Sequence, residues 1–266
     1  MKKISDLALI GKSTKIADGV EIGPFAVIED GAEIGVNVKI AAHAYIFGGT
    51  TIGEGAQIHA GACIGDLPQD LLFDKSKKTF TKIGRNTVIR EHTTIHRATA
   101  EEGATVVGDN CYLMASSHVG HDCHVGSNVI IANGALLAGH VEVEDYAFIS
   151  GNVVIHQFCR IGAACMIGGF TGINKDVPPY MMVRGPSVVR GINLVGLRRL
   201  KFPREVITGI KEAYKLIYMS GLNTSQALSG IQKLKPAKEL DHLVEFIKTS
   251  KRGICKAKDE KDEFYE

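Results

Sequence analysis

The chain has 266 residues, with 30 Gly, no Trp, 6% aromatic residues and a formal net charge of +2. An apolar content of 45% beside 23% charged residues excludes wholesale disorder, and the near-balanced charge excludes a general attraction to nucleic acid. No apolar run approaches the roughly 18 residues that would span a bilayer. Asp6 and Lys12 interrupt any signal-peptide core, so with six Cys and no export signal, reduced thiols and a cytoplasmic setting are expected.

A six-residue repeat dominates the chain from its start. Ile, Val or Leu recurs at every sixth position from Ile10 to Ile64, again at Ile83, Ile89 and Ile95, and then from Val107 to Ile173, giving 25 hexads. Gly follows the lead residue in eleven of them, and the fifth position is Ala, Cys, Ser, Thr or Val everywhere except Pro68. A period of six fits neither a heptad nor an amphipathic helix. It predicts a solenoid of short strands and tight turns, with the branched lead residue inward, Gly relieving the turn and the small fifth residue packed beneath. Three hexads make one triangular coil of 18 residues; stacked at about 4.8 Å, about eight coils form a prism on the order of 40 Å long.

Two breaks interrupt the pattern. Between Ile64 and Ile83 the stretch from Asp66 to Phe73 leaves the repeat, and a shorter excursion covers Ala98 to Val106. The sequence therefore predicts inserted loops near 66–82 and 98–106, the places on a regular solenoid where function concentrates. The hexads end by Pro178-Pro179, so residues 1–190 read as the solenoid and 191–266 as a helical C-terminal domain. Val206, Ile207, Ile210, Ala213, Tyr214 and Ile217 follow a helical period with Gly221 as its stop. Two more helices are expected near 224–234 and 237–251, followed by a charged, mobile tail from Lys256 to Glu266.

Cys111, Cys123, Cys159 and Cys165 all fall in the fifth column, at separations that are multiples of six, and read as core fillers rather than ligands. His118, His121, His124, His140 and His156 gather in one third of the prism, with His121 and His140 one coil apart at an offset of one residue. Their positions leave three readings open: solvated turn residues, metal ligands, or a catalytic base near neutral pH. From Arg198 to Arg252 there are 12 Lys and Arg against 5 Asp and Glu. This excess is either a solvated helix surface or a docking face for an acidic partner, and it lacks the interleaved aromatics of a nucleic-acid site.

Several blocks carry a more specific resemblance: Gly65-Asp66-Leu67-Pro68-Gln69-Asp70, Ile95-His96-Arg97, Ser117-His118-Val119-Gly120-His121-Asp122-Cys123, Leu137-Ala138-Gly139-His140, Val154-Ile155-His156-Gln157-Phe158, Asp176-Val177-Pro178-Pro179-Tyr180 and Gly196-Leu197-Arg198-Arg199, with Ala213 to Tyr218 beyond. In this order they resemble the UDP-N-acetylglucosamine 3-O-acyltransferases, hexapeptide-repeat enzymes that open lipid A biosynthesis. The resemblance implies an all-β, left-handed parallel β-helix followed by a small helical domain, and a soluble homotrimer with clefts between neighbouring prisms. The implied donor is a (3R)-3-hydroxyacyl group on acyl carrier protein, an acidic helical partner, and the implied acceptor is a UDP-sugar. By the same resemblance His121 is the base, Asp122 orients its imidazole, and the Gly139 N–H is the oxyanion donor. Gln69, Asp70, His118, His140, Gln157, Asn193 and Arg199 are expected at the nucleotide sugar, with His156 in the same cleft. Gly169 takes the position that limits acyl length. A thioester needs a base and a hydrogen-bond donor, so no cofactor or metal is expected.

Other hexapeptide-repeat proteins resemble a zinc carbonic anhydrase with a His-x4-His pair, from which His118-x2-His121 departs. Within the acyltransferases, Leu72, Val195 and Leu200 replace residues that are often Lys, acidic and basic, respectively, where the sugar is handled. These departures leave open an acceptor that is the 3-amino analogue of UDP-N-acetylglucosamine, giving an amide in place of an ester.

Overall fold

A computed structural model describes residues 2–257. The chain winds as a left-handed parallel β-helix whose coils each give one short strand to each of three sheets, of 12, 9 and 8 strands. Register advances by one coil at each step: Lys3 pairs with Glu21, Glu21 with Lys39, and Lys39 with Gln57. The lead residues form the axis of the prism, and Ile28, Ile46, Ile64, Ile95, Val119, Leu137 and Ile155 are all buried. Small fifth-column residues fill the corners between them. Cys111, Cys123, Cys159 and Cys165 lie there as buried free thiols, and burial pushes Cys159 up to about 11 and Cys123 up to about 12. Such thiols are protonated packing groups at neutral pH.

The glycines after the lead residue serve a different purpose from the one expected. Gly11, Gly23, Gly35, Gly53, Gly84, Gly108, Gly120, Gly126, Gly162 and Gly168 are not left-handed; a Cβ on Gly108, for example, would meet Gly126 O at 2.6 Å and Gly126 C at 2.7 Å. They let the turn of one coil seat against the backbone of the next. Gly65 alone of the eleven has a positive φ, of +90°. The left-handed turn position falls two residues later and is taken mostly by other residue types, including Asn37, His43, Asn110, Asp122, His140 and Phe158.

The two breaks leave the prism as loops. Pairing resumes beyond each, with one irregularity at the first, where Ile64 pairs with Ile95 but Asp66 with His96, so that Gly65 bulges out of register. Strands Cys63–Asp66 and Phe80–Ile83 bracket the first loop, and Thr94–His96 and Ala104–Val107 bracket the second. The loops meet through the Phe80 N–H donating to Gly103 O at 2.9 Å and the Glu102 N–H donating to Lys78 O at 2.8 Å.

Beyond the last coil, strands Met181–Val183 and Val188–Ile192 form an antiparallel pair. Four helices follow: α1 (Leu194–Arg199), α2 (Arg204–Tyr218), α3 (Thr224–Ile231) and α4 (Lys238–Lys248). The first was not anticipated, because six residues are too few to display a helical period. Helix α2 stops at Tyr218, with Met219 as its cap, so the left-handed Gly221 (φ +69°) lies two residues beyond the cap. The chain then returns to the prism, where Lys256–Ala257 adds a parallel strand beside Val188–Ile192. That pairing corrects the expectation of a mobile tail for these two residues, and 258–266 lie outside the described residues.

Candidate active site

The site forms where turns of successive coils stack on one edge. Asp122, His140 and Phe158 occupy equivalent left-handed turns with φ of 58°, 59° and 64°. The His140 ring stacks on Phe158 with centroids 4.6 Å apart, and the His121 ring meets His140 edge-on at 5.2 Å. One residue earlier in each turn, His121 lies over Gly139, where a Cβ would fall 2.6 Å from His121 Nε2.

His121 and Asp122 are adjacent in sequence and bonded through their side chains, with Nδ1 2.8 Å from Asp122 Oδ2. The carboxylate is further held by Thr99, whose N–H donates to Oδ1 at 3.0 Å and whose hydroxyl donates to Oδ2 at 2.7 Å. The Asp122 N–H donates to Thr105 Oγ1 at 2.8 Å. Burial alone would raise this carboxyl, but the hydrogen bonds from His121 and Thr99 outweigh it and hold the group below its ordinary value. An ionised Asp122 accepts only, so His121 Nδ1 carries the proton and Nε2 is the basic nitrogen turned toward Gly139.

His118 lies on the strand leading into this turn. Its Nδ1 is 2.8 Å from Thr94 Oγ1, and its ring meets the buried His96 edge-on at 4.9 Å. Burial, with His96 and His121 close by, pushes His118 down to about 4, so it is a neutral hydrogen-bonding group at physiological pH. Burial also lowers His96, whose Nδ1 has no partner among the described residues.

The donor atoms of His121, Asp122 and His140 lie within 4.8 Å of one another, a set that could in principle hold a cation. Two of them already satisfy each other as the His121–Asp122 pair. A metal there would have to displace that hydrogen bond.

The remaining expected residues are more dispersed. His156 and Gln157 occupy the next coil and are exposed, with His156 Nδ1 3.1 Å from Gln157 O. Gln69 and Asp70 sit in the first loop, where Asp70 Oδ1 accepts from the Leu72 N–H at 2.9 Å. Asn193 caps α1: its Oδ1 accepts from the Gly196 N–H at 3.0 Å and its Nδ2 donates to Ala164 O at 2.9 Å. Arg199 is exposed near the end of α1. Among the described residues, no hydrogen bond or ion pair joins Gln69, Asp70, Asn193 or Arg199 to the histidine cluster. Gly169 lines a groove of about 1050 Å³ with Met166, Met182 and Val188.

Sequence reasoning missed Thr94, Thr99 and Thr105, and it gave no role to His96 of the Ile95-His96-Arg97 block. The hexad frame disguised Thr99 as a fifth-column filler, although it is half-buried and bonds a side chain outside the core.

Comparison with known proteins identifies the family. The family described as Udp N-acetylglucosamine O-acyltransferase, domain 2, matches residues 176–255, and the bacterial transferase hexapeptide family (six repeats) matches residues 13–48 and 104–139. The acyl-[acyl-carrier-protein]–UDP-N-acetylglucosamine O-acyltransferase of Aquifex aeolicus is 52% identical over 195 residues, covering 72% of this chain and 74% of the relative. The crystal structure of the UDP-N-acetylglucosamine acyltransferase from Bacteroides fragilis is 44% identical with a TM-score of 0.91, covering 94% of this chain and 99% of that one. The Francisella novicida enzyme is 42% identical with a TM-score of 0.93, covering 96% and 95%. The chain belongs to the UDP-N-acetylglucosamine O-acyltransferase family.

Proposed function

We propose that this enzyme transfers a (3R)-3-hydroxyacyl group from acyl carrier protein to the 3-hydroxyl of UDP-N-acetylglucosamine, the first step of lipid A biosynthesis. The observation that carries the reading is the His121–Asp122 pair packed on Gly139, inside a prism and helical domain that match the family over nearly the whole chain. His121 Nε2 takes the proton of the sugar hydroxyl as its oxygen attacks the thioester carbonyl carbon. The Gly139 N–H, which makes no backbone hydrogen bond among the described residues, donates to the developing oxyanion. As the tetrahedral species collapses, the C–S bond breaks and the proton on His121 passes to the departing thiolate. The products are the sugar ester and the free carrier thiol. No step calls for a metal or a redox cofactor.

Neutral His118, anchored by Thr94, offers a hydrogen bond to a substrate hydroxyl without a charge. In the same strand column Leu136 and Val154 follow His118, and they are 43% and 49% exposed. Gly172 completes an apolar lane whose far end lies about 14 Å from His118 at about 4.8 Å per coil, suited to a long acyl chain. Gly169 leaves room at the adjoining turn, since a Cβ there would meet nothing closer than Gly151 O at 3.4 Å.

Assembly as a homotrimer accounts for Gln69, Asp70, Asn193 and Arg199. Among the described residues no hydrogen bond or ion pair joins them to the histidines of the same chain, and a cleft between chains would bring one chain's loop to another's dyad. Leu71 and Leu72, fully exposed at the tip of the first loop, have the character of residues covered by a neighbour. The basic excess between Arg198 and Arg252 suits the acidic carrier protein. No helix among the described residues is long and apolar enough to cross a membrane.

The test is an assay of the purified chain with hydroxyacyl carrier protein, offering UDP-N-acetylglucosamine and its 3-amino analogue separately and identifying products by mass spectrometry. Ester formation on the first, abolished by His121→Ala, is expected. Transfer only to the amino sugar would move the acceptor, and transfer to neither would overturn the reading.

A further inference from the structure

The second loop does more than leave the prism. Thr99 within it and Thr105 on the strand that follows both hold Asp122: the Thr99 N–H and hydroxyl donate to the carboxylate, and Thr105 Oγ1 accepts from the Asp122 N–H. Other threonines of the fifth column behave differently. Thr14, Thr87 and Thr93 donate their hydroxyls to the backbone carbonyls of Glu29, Gly108 and Met114, at 3.0, 2.7 and 3.1 Å, and so stitch adjacent coils. Thr99 instead turns both of its donors onto one side-chain carboxylate.

Its position is fixed from behind. The Ala98 N–H donates to Phe80 O at 3.3 Å, and the Gly103 N–H closes the loop on Ala100 O at 2.8 Å. The Asp122 side chain is only 12% exposed, so water has little access to replace these donors. Its Oδ2 must stay within reach of His121 Nδ1 while His140 Nε2 stands 3.6 Å away on the same oxygen. A carboxylate free to rotate could leave His121 and meet His140 instead.

We infer that Thr99 is a positioning residue, which clamps the Asp122 carboxylate in the rotamer that orients His121, and that the second loop is the element that delivers it. This rests on the acyl-transfer reading above. A charge-assisted hydrogen bond to a buried carboxylate is strong and directional, and its loss is felt through the orientation of the base.

The experiment compares kcat and KM for the wild type, Thr99→Val, Thr99→Ser, Asp122→Asn and the Thr99→Val/Asp122→Asn double variant. Valine keeps the shape and removes only the hydroxyl. Thr99→Val is expected to lower kcat about tenfold, with KM for the sugar nucleotide changed by less than about twofold. Thr99→Ser should stay within about twofold of the wild type in kcat. In the Asp122→Asn background the valine should cause no further loss, because the residue acts through that carboxylate. Wild-type kcat in Thr99→Val, an equal loss in Thr99→Ser, or the same fold loss repeated in the Asp122→Asn background would each overturn the inference. Should the valine chain fail to fold, Thr99→Ala carries the same comparison. An inactive wild type would instead defeat the acyl-transfer reading, whereas an active wild type with a fully active valine variant defeats only the role of Thr99.

Discussion

The imidazole of His121 occupies the space that a side chain on Gly139 would need. A Cβ at Gly139 would lie 2.4 Å from Cε1 and 2.6 Å from Nε2 of that ring. The ring cannot simply turn aside, because Nδ1 is bonded to Asp122 and the opposite flank meets His140. Gly139→Ala keeps the backbone N–H yet displaces the base, so kcat should fall on the order of 10²-fold. The melting temperature should fall as well, since the pinned ring has to give way. Steady-state kinetics beside a thermal melt checks both halves; normal kcat would show that the ring has room to move.

Gly108 and Asn110 sit two residues apart in one turn and should respond in opposite ways. A Cβ on Gly108 would press on the backbone of Gly126 and Ser127, at 2.6 to 2.9 Å, with no flexible atom to yield. Gly108→Ala should therefore cost about 3 kcal/mol or more. Asn110 is exposed in a left-handed turn with φ 55°, a conformation glycine adopts without strain. Asn110→Gly should change stability by less than about 0.5 kcal/mol. Chemical denaturation of the two variants gives the comparison directly. Equal effects would mean that the turn, rather than the close approach of coils, fixes the glycine column.

How far the sequence could be read follows from these same residues. The isoleucine and valine leads and the fifth-column cysteines were legible because the solenoid repeats one local environment every six residues, and burial imposes one residue class on it. The glycine column was equally visible, but its cause was not, because the contact it relieves is with a residue one coil away. At the site, the His121–Asp122 adjacency and the nearness of His140 could be read from coil arithmetic. Thr99 could not, because it falls in the fifth column of the hexad that leads into the second loop and so reads as a filler, although its side chain serves Asp122. Asp70 and Arg199 came only from resemblance, and among the described residues no hydrogen bond or ion pair joins them to the histidines.

His118 gives the folded protein a pH dependence on the acid side. Burial first, then His96 and His121, bring it from 6.5 down to about 4. Between those values an unfolded His118 takes up a proton that the folded site refuses, so stability falls as pH drops from about 6.5 to about 4. His118→Gln removes that proton uptake and should flatten the acid limb of a plot of denaturation midpoint against pH. His96 is displaced in the same direction by burial, so part of the slope will remain. Superimposable curves for the two proteins would show that His118 is protonated in the fold.

His242 acts with the opposite sign where the helical domain meets the prism. Its Nε2 lies 3.0 Å from Glu144 Oε2 and its Nδ1 is 3.1 Å from the Tyr180 hydroxyl, while Arg160 places its guanidinium 4.1 Å over the Phe246 ring beside it. The Glu144 hydrogen bond raises His242 above its ordinary value, against the opposing effects of burial and of Arg160. A raised value means that the folded state holds the proton more tightly. The stabilisation is thus complete below about 6.5 and is lost as pH rises through the folded value. Both side chains are about one-third exposed, so solvent screens the pair and the effect is small, on the order of 1–2 °C in Tm. His242→Gln should lower Tm by that amount near pH 6 and by much less near pH 8.5. A difference that stayed constant across this range would assign the contribution to packing, and one that grew with pH would reverse the sign of the linkage.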